Sequence, residues 1–417
     1  MDGHGNDAST RLSRFFGTCS YTRPPGFPGS FSPSLSLILH SNKAAQVPLQ
    51  HAMSNNPTTS LLRPLQAAGS HTELRFSPTN LSVWDIILVI SIFIFRSIAN
   101  AFNGFLPPVT KDGLPSTPHL TLSMPLKLQK RDTDAYIRAA GDKARPEPNI
   151  HFNNAQLLLL LSAVTEPAML LLLAKRDCPI CPLGAVNVRN RFELLEPDLC
   201  QPWDLMEMND AVVSASLTRS PRRVKRGLEF DVEVNLTVSK GEKKSRVTAF
   251  RQIFTILQFM KTEVESGSVK EKRASSPVLE KQSAVMVPMR MDYDDPSDWA
   301  AVCKDYNPIH VSAVAAKLYG FSGKIAHGNH VVAKALDVLT RMCPGSGDVL
   351  LKLDDMPIWM EVNFRRPVTV PSTLDFRVTK GTEKVLGGFE LLHKDKVCVS
   401  GVMGLLRASF PVDWTTT

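Results

Sequence analysis

Residues 155–174, AQLLLLLSAVTEPAMLLLLA, constrain the fold more than any other stretch of the chain. A helix of this length, about 30 Å, suits either a bilayer or the middle of a large hydrophobic core. Glu166 and Pro167 fall near its centre. There a charge is expensive in lipid, and a proline removes a rung of the hydrogen-bond ladder. The expectation is therefore a helix enclosed by a globular fold, kinked or broken at the proline.

The strands downstream can enclose it. Residues 185–194 and 210–218 read as strands, and Phe230, Val232, Val234, Leu236 and Val238 alternate up to a Lys240-Gly241 turn, from which residues 245–254 return. Alternation with period two marks strands with one buried face. After a polar linker around 264–282 the order recurs. A helix at about 329–342, with Val332, Leu336 and Leu339 at helical spacing and Cys343-Pro344-Gly345 as its stop, precedes strands near 359–364, 373–379, 385–392 and 397–407. Pro367 and Pro371 suit edge or bend positions. The class is α+β, with two architecturally repeated halves, each a long helix followed by an antiparallel sheet.

Between the two halves' helices lies the richest run of titratable residues, DYNPIHVSAVAAKLYGFSGKIAHGNH, from Asp305 to His330. Asn307 can cap a turn, with Pro308 at the first helical position. Such a turn sets Asp305 and His310 close enough to share one water, the arrangement general acid–base chemistry needs near neutral pH. Residues 312–319 read as an alanine-rich helix ended by Gly320. Gly328 falls at the N-terminus of an apolar and hence buried helix. Its N–H and the helix dipole can hold a developing oxyanion there.

The pattern D-x-N-P-x-H at 305–310, followed by G-F-x-x-x-I-A-H-G at 320–328, resembles the signature of the MaoC-like dehydratases, (R)-specific enoyl-CoA hydratases with a hotdog fold. The first half, with AYIRAAG and PLGAVNVRNRFELLEP, is similar to the first half of double-hotdog members, and N-F-R-R-P-V at 363–368 resembles the strand after the central helix. The similarity spans about residues 120–410. It implies two hotdog halves packed side by side, the first shaping an acyl tunnel and the second carrying the chemistry. In the family the Asp and the His activate the water and the Gly N–H binds the thioester carbonyl. This carries over to Asp305, His310 and Gly328, with Asn307 as the turn asparagine.

His327 is expected to support the helix entrance, and His330 to be a surface or supporting group. Arg365 or Arg366 is expected to meet phosphates of coenzyme A or of an acyl-carrier phosphopantetheine, although a solvated edge is the ordinary role of such turns. That carrier is part of the substrate; no metal and no redox cofactor is expected. The implied reaction is reversible (R)-specific hydration of a trans-2-enoyl thioester. A non-catalytic acyl-thioester binding protein and a hotdog thioesterase are the alternatives. Four positions depart from the family, which has Ser-Gly before the Asp, an acid two residues after the His and Met after H-G. This chain has Cys303-Lys304, Ser312 and Asn329. A lysine beside Asp305 is expected to lower its basicity.

The remainder frames these halves. Residues 1–82, rich in Ser, Thr, Pro, Asn and Gly, read as a disordered or targeting extension, in which Arg11, Arg14 and Arg23 resemble a transit peptide while Asp2 and Asp7 do not. Residues 83–118 combine an apolar helix with a Pro-rich linker. Its uninterrupted apolar core, 86–95, is half of what a span needs, so membrane association through 83–105 competes with simple packing. The halves are then 119–263 and 285–412, joined by 264–284. Seven cysteines without framework spacing favour a reducing, intracellular compartment, with mitochondrion and peroxisome both open. Cys178-Pro-Ile-Cys181 lacks the second pair that a structural zinc site needs. The net charge of +8 suits an anionic carrier. Basic clusters without interleaved aromatics exclude a recognisable nucleic-acid surface. The tandem halves can act as one pseudo-dimer or pair further as a homodimer.

Overall fold

The computed structural model describes residues 57–103, 117–141, 152–217, 220–241, 245–259, 285–342, 356–382 and 385–406. The arginines of the first fifty residues, the linker 264–284 and the stretch 104–116 lie outside them. In chain order the first part holds α1 (Pro57–Gln66), β1 (His71–Glu73), α2 (Val83–Asn103), β2 (Leu120–Pro125), α3 (Lys130–Ala140), α4 (Asn154–Ala174), β3 (Ala185–Leu194), α5 (Pro202–Glu207), β4 (Val212–Leu217), β5 (Arg222–Val224), β6 (Gly227–Lys240) and β7 (Ser245–Phe259). The second holds β8 (Val285–Met291), α6 (Asp295–Cys303), α7 (Pro308–Val311), α8 (Ala313–Leu318), α9 (Gly328–Met342), β9 (Ile358–Phe364), β10 (Ser372–Thr382), β11 (Val385–His393) and β12 (Lys396–Leu405).

All twelve strands form one sheet in the order β1-β2-β4-β6-β7-β3-β9-β12-β11-β10-β8, with β5 beside β6. The halves meet at an antiparallel seam in which Arg189 to Leu194 of β3 pair with Asn363 to Ile358 of β9. The sheet is open, and it wraps α4 in one half and α9 in the other. This is the tandem hotdog architecture that the helix-then-strands order implies, with one shared sheet in place of the two side-by-side sheets expected.

Helix α4 is the expected core helix, continuous from end to end despite Pro167. Every one of its residues except Gln156 is buried. A proline inside a helix costs about 3 kcal/mol. Against that stand nine buried leucines at roughly 1.5–3 kcal/mol each, so packing overrides the break. Asn153 caps the helix, accepting from the Gln156 N–H, while Gln156 reaches back to the Asn153 N–H. Among the described residues α4 alone is both long and apolar enough for a membrane span, and it is wholly inside the protein.

Two regions upstream of β2 depart from expectation. Residues 57–82 belong to the fold. Leu61 and Leu65 of α1 are fully buried, β1 pairs in parallel with β2, and Leu74 is buried beside it. Their Ser/Thr/Pro-rich setting conceals two leucines at helical spacing. Helix α2 packs Val89 and Phe93 inward and leaves Val83, Trp84, Ile87, Ile94, Phe95 and Ile98 exposed. Its Arg96 turns inward. The guanidinium donates to the carbonyls of Leu173, Lys175 (3.2 Å), Cys178 and Ile180 (3.0 Å), which end α4 and begin the next loop. The residue that makes α2 a poor membrane span thus satisfies carbonyls left open where α4 stops.

Candidate active site

Short-range chemistry fixes the loop before α9. Helix α6 ends at Lys304 in the left-handed conformation (φ 59°, ψ 12°). The turn for which related sequences use glycine is therefore kept by a lysine, at a cost of up to about 1 kcal/mol. The Lys304 ammonium donates back to the Ala301 carbonyl (2.7 Å), and its nearest opposite charge is Asp132. Asp305 Oδ1 accepts from the Asn307 N–H (3.1 Å), and Asn307 Oδ1 accepts from the Ile309 N–H (3.4 Å), capping α7 with Pro308 at its first position. Ser312, in place of an acid, caps α8 by accepting from the Ala315 N–H.

The other wall is pinned equally firmly. Residues 324–326 bond to the strand-like run after β9, Ala326 N–H to the Val368 carbonyl and Val370 N–H to the Lys324 carbonyl. The Ile325 carbonyl accepts from His310 Nδ1 at 2.7 Å. A carbonyl only accepts, so Nδ1 carries the proton and the neutral ring presents its Nε2 lone pair. His327 in turn donates from Nε2 to the Asp305 backbone carbonyl (3.0 Å), 3.8 Å from Oδ2. The rings of His310 and His327 stack with centroids 3.7 Å apart.

Burial sets the charge state. Desolvation pushes the His310 imidazole below its ordinary range, against the opposing pull of Asp305. His327 is held further down, first by desolvation and then by repulsion from His310. Two stacked imidazoles cannot both be cationic at this distance, and a neutral pair beside one carboxylate is the stable arrangement.

Gly328 begins α9, directly after His327. Its amide is among those without a partner inside the helix, on the positive end of the helix dipole. A Cβ here would lie 2.7 Å from Cδ1 and 2.8 Å from Cζ of Phe364, so the ring at the end of β9 requires glycine. Arg365 and Arg366 follow that ring on the surface. Arg365 Nε donates to Ser400 Oγ (3.1 Å), and Arg366 Nη1 to the Val397 carbonyl (2.7 Å). Both guanidiniums retain donors facing solvent next to the site.

His330, expected at the surface or in support, is no surface group. It is fully buried, stacked 4.9 Å from Trp299, and donates from Nε2 to the Ala139 carbonyl (2.8 Å), because α9 turns it towards α3 and α6. Four polar residues near the site, Ser162, Glu166, Asn190 and Asn329, are not legible as site residues in the sequence. Asn329 Nδ2 donates to Ser162 Oγ (3.0 Å) of α4, and Asn329 Oδ1 accepts from Asn190 Nδ2 (2.7 Å) of β3. Glu166, one turn after Ser162, is buried, with its Oε2 lacking a hydrogen-bond partner, and burial pushes its carboxyl well above the ordinary glutamate range. The available signal is a pair of anomalies, a carboxylate in an apolar helix and an asparagine after H-G.

Ligand atoms of Asp305, His310 and His327 lie within 4.8 Å of one another, a spacing that suits a metal ion as well as a water. The hydrogen bonds favour water. His327 Nε2 and His310 Nδ1 are committed to carbonyls, and stacking sets the two rings' in-plane lone pairs side by side. The His310 Nε2 lone pair and a carboxylate oxygen stay free, two acceptors for one water.

Fold and loop together point to one class: the chain has a tandem hotdog architecture, and its residues 275–394 match the MaoC like domain. More particularly, the chain is 27% identical over 297 residues to 3-hydroxyacyl-thioester dehydratase X of Mycobacterium tuberculosis, covering 71% of this chain and 91% of that one. The crystal structure of a MaoC-like dehydratase from Phytophthora capsici shares the fold, with a TM-score of 0.50 at 16% identity over 72% of this chain and 99% of that one. The M. tuberculosis HtdX structure superposes with a TM-score of 0.48 at 22% identity, over 69% of this chain and all of the other.

Proposed function

We propose that the protein catalyses reversible (R)-specific hydration of trans-2-enoyl thioesters to 3-hydroxyacyl thioesters. The observation that carries this reading is the tautomer of His310. With Nδ1–H spent on the Ile325 carbonyl, Nε2 and the Asp305 carboxylate are both acceptors. A water between them donates both hydrogens and turns its lone pairs outward, towards C3 of a bound enoyl group. As the C3–O bond forms, one water proton passes to this pair and the C2=C3 electrons move to the thioester carbonyl, whose oxyanion the Gly328 N–H stabilises. Collapse of the enolate takes a proton at C2. His310 becomes a donor for that step only after accepting at Nε2, so the water supplies both the hydroxyl and the hydrogen. Dehydration is the same sequence reversed. The dehydratase relative from M. tuberculosis supports a thioester as substrate. Arg365 and Arg366 supply the cationic surface for the phosphates of its carrier.

The test is loss of the conjugated enoyl-thioester absorbance with the full chain, beside Asp305→Asn. Removing one member of an acid–base pair should lower kcat by ~10²–10⁴-fold without unfolding the protein. Release of free thiol in step with the absorbance change would instead establish thioester hydrolysis. Equal rates for wild type and Asp305→Asn would sink the assignment of the base.

A further inference from the structure

The first turn of α9 is tied to the other half of the chain. Asn329, directly after Gly328, is buried with both ends of its amide engaged: Nδ2 donates to Ser162 Oγ of α4 (3.0 Å), and Oδ1 accepts from Asn190 Nδ2 of β3 (2.7 Å). Ser162 and Asn190 are themselves fully buried. Exchanging such a set of partners for apolar side chains of the same shape is nearly neutral for stability. What the hydrogen bonds add is direction, because a satisfied buried network fixes one orientation of its members.

The contacts converge on one peptide. His327, on the other side of Gly328, donates to the Asp305 carbonyl (3.0 Å). The Phe364 ring occupies the space that a Cβ on Gly328 would need. Asn190 lies in the stretch of β3 that pairs across the seam with β9, opposite Val362 and thus two residues from that ring along the strand. The residue before Gly328, the residue after it and the face it turns to β9 are each held by a different part of the fold.

Resting on the hydratase reading, we infer that Asn329 is a positioning residue of the site: through Ser162 and Asn190 the first half of the chain sets the direction of the Gly328 N–H towards the thioester carbonyl. An oxyanion donor is worth most when its direction is fixed before the reaction. Asn329 stands where related sequences carry Met, so this chain reaches that end through a polar contact of its own. The scaffold half then takes part in the chemistry without touching the substrate.

The test reads the carbonyl stretching band of a saturated thioester, decanoyl-CoA isotopically labelled at its carbonyl carbon, bound to the full chain. Donation from Gly328 should move the bound band to lower frequency than that of the free thioester. Asn329→Leu keeps nearly the same shape without hydrogen bonds. It should return the band towards the free position and lower kcat in the enoyl assay by about 10-fold, with little change in KM. Ser162→Ala, which keeps the Asn190 bond, should move both readouts the same way by less, and should add nothing once Asn329→Leu is present. Should Asn329→Leu not fold, Ser162→Ala decides alone. Arg96→Ala loosens the far end of α4 and should leave the band in place; an equal shift there would reduce the effect to general loosening and overturn the inference. A wild-type band that does not move on binding, or wild-type band and kcat in both Asn329→Leu and Ser162→Ala, would also overturn it. The band needs no turnover. A lowered band that Asn329→Leu relaxes, in a protein that does not hydrate enoyl thioesters, would uphold the positioning and overturn the hydratase reading. Hydration at the wild-type rate in both variants would do the reverse.

Discussion

Helices α4 and α9 occupy equivalent places in the two halves and differ in almost everything else. Helix α4 is buried along its whole length, and its ends are closed, by Asn153 at the start and by Arg96 near the finish. Helix α9 is shorter and amphipathic, exposing Arg341, and its first turn is left open beside Asp305 and His310. A capped helix end is a structural joint; an uncapped one, with a glycine held against Phe364, is available for chemistry. The difference separates a scaffold half from a reacting half within one repeated architecture.

Substitutions that close the open end should have the largest effect. Gly328→Ala pushes a methyl into Phe364 and displaces the amide, and kcat should fall by ~10²–10³, the usual cost of one oxyanion donor. Adding Phe364→Ala should recover part of that loss; no recovery would mean the glycine serves something other than the close approach.

Acidification should then distinguish the halves by stability. His310, His327 and His330 all lie in the reacting half and are held neutral by burial, His330 down to about 4. Their pKa values are lower folded than unfolded, so the unfolded chain takes up protons first as pH falls. Stability should be complete above pH ~6.5 and decline from there towards pH ~4, with His330 alone worth roughly 3 kcal/mol across that window. Thermal unfolding followed from pH 7 to pH 4 checks this, and replacing His330 by Asn should flatten the decline.

Uncapping the scaffold half should cost less. Arg96→Ala strips several carbonyls of their donor and should destabilise the protein by about 1–3 kcal/mol in denaturant unfolding. Activity of the folded fraction should stay unchanged; a fall in kcat would mean that strain at the end of α4 reaches the site. The smallest effect is expected at Lys304→Gly, which relieves a left-handed backbone and should add up to about 1 kcal/mol.

The sequence exposes one side of this contrast far better than the other. Asp305, Asn307, His310 and Gly328 lie on a short run with rigid spacing, and alternation locates β6, β7 and β9 to β12 to within a few residues, whereas β8, interrupted by Pro288, goes unseen. Contacts that close over long separations stay hidden. Arg96 meets carbonyls 77 to 84 residues later, and Asn329 meets Ser162 across 167 residues. Periodicity carries no information about such pairs. The continuity of α4 through Pro167 is hidden for a related reason: local chemistry favours a break, and only the surrounding sheet supplies the packing that overrides it. Leu61 and Leu65 are lost among serines and prolines because two leucines make too short a stripe to stand out.

The seam between β3 and β9 has one more consequence. An unpaired strand is a template on which further chains can add, and here the inner border of each half is consumed by the other. At the outside stand β1, three residues long, and β8, which carries Pro288 among its rungs and so offers an interrupted ladder. Either half made alone would present its raw border to solvent and be prone to stack on copies of itself. The covalent joining of the two halves is therefore a safeguard against aggregation, and solubility should be lost when the halves are produced apart and return when they are produced together.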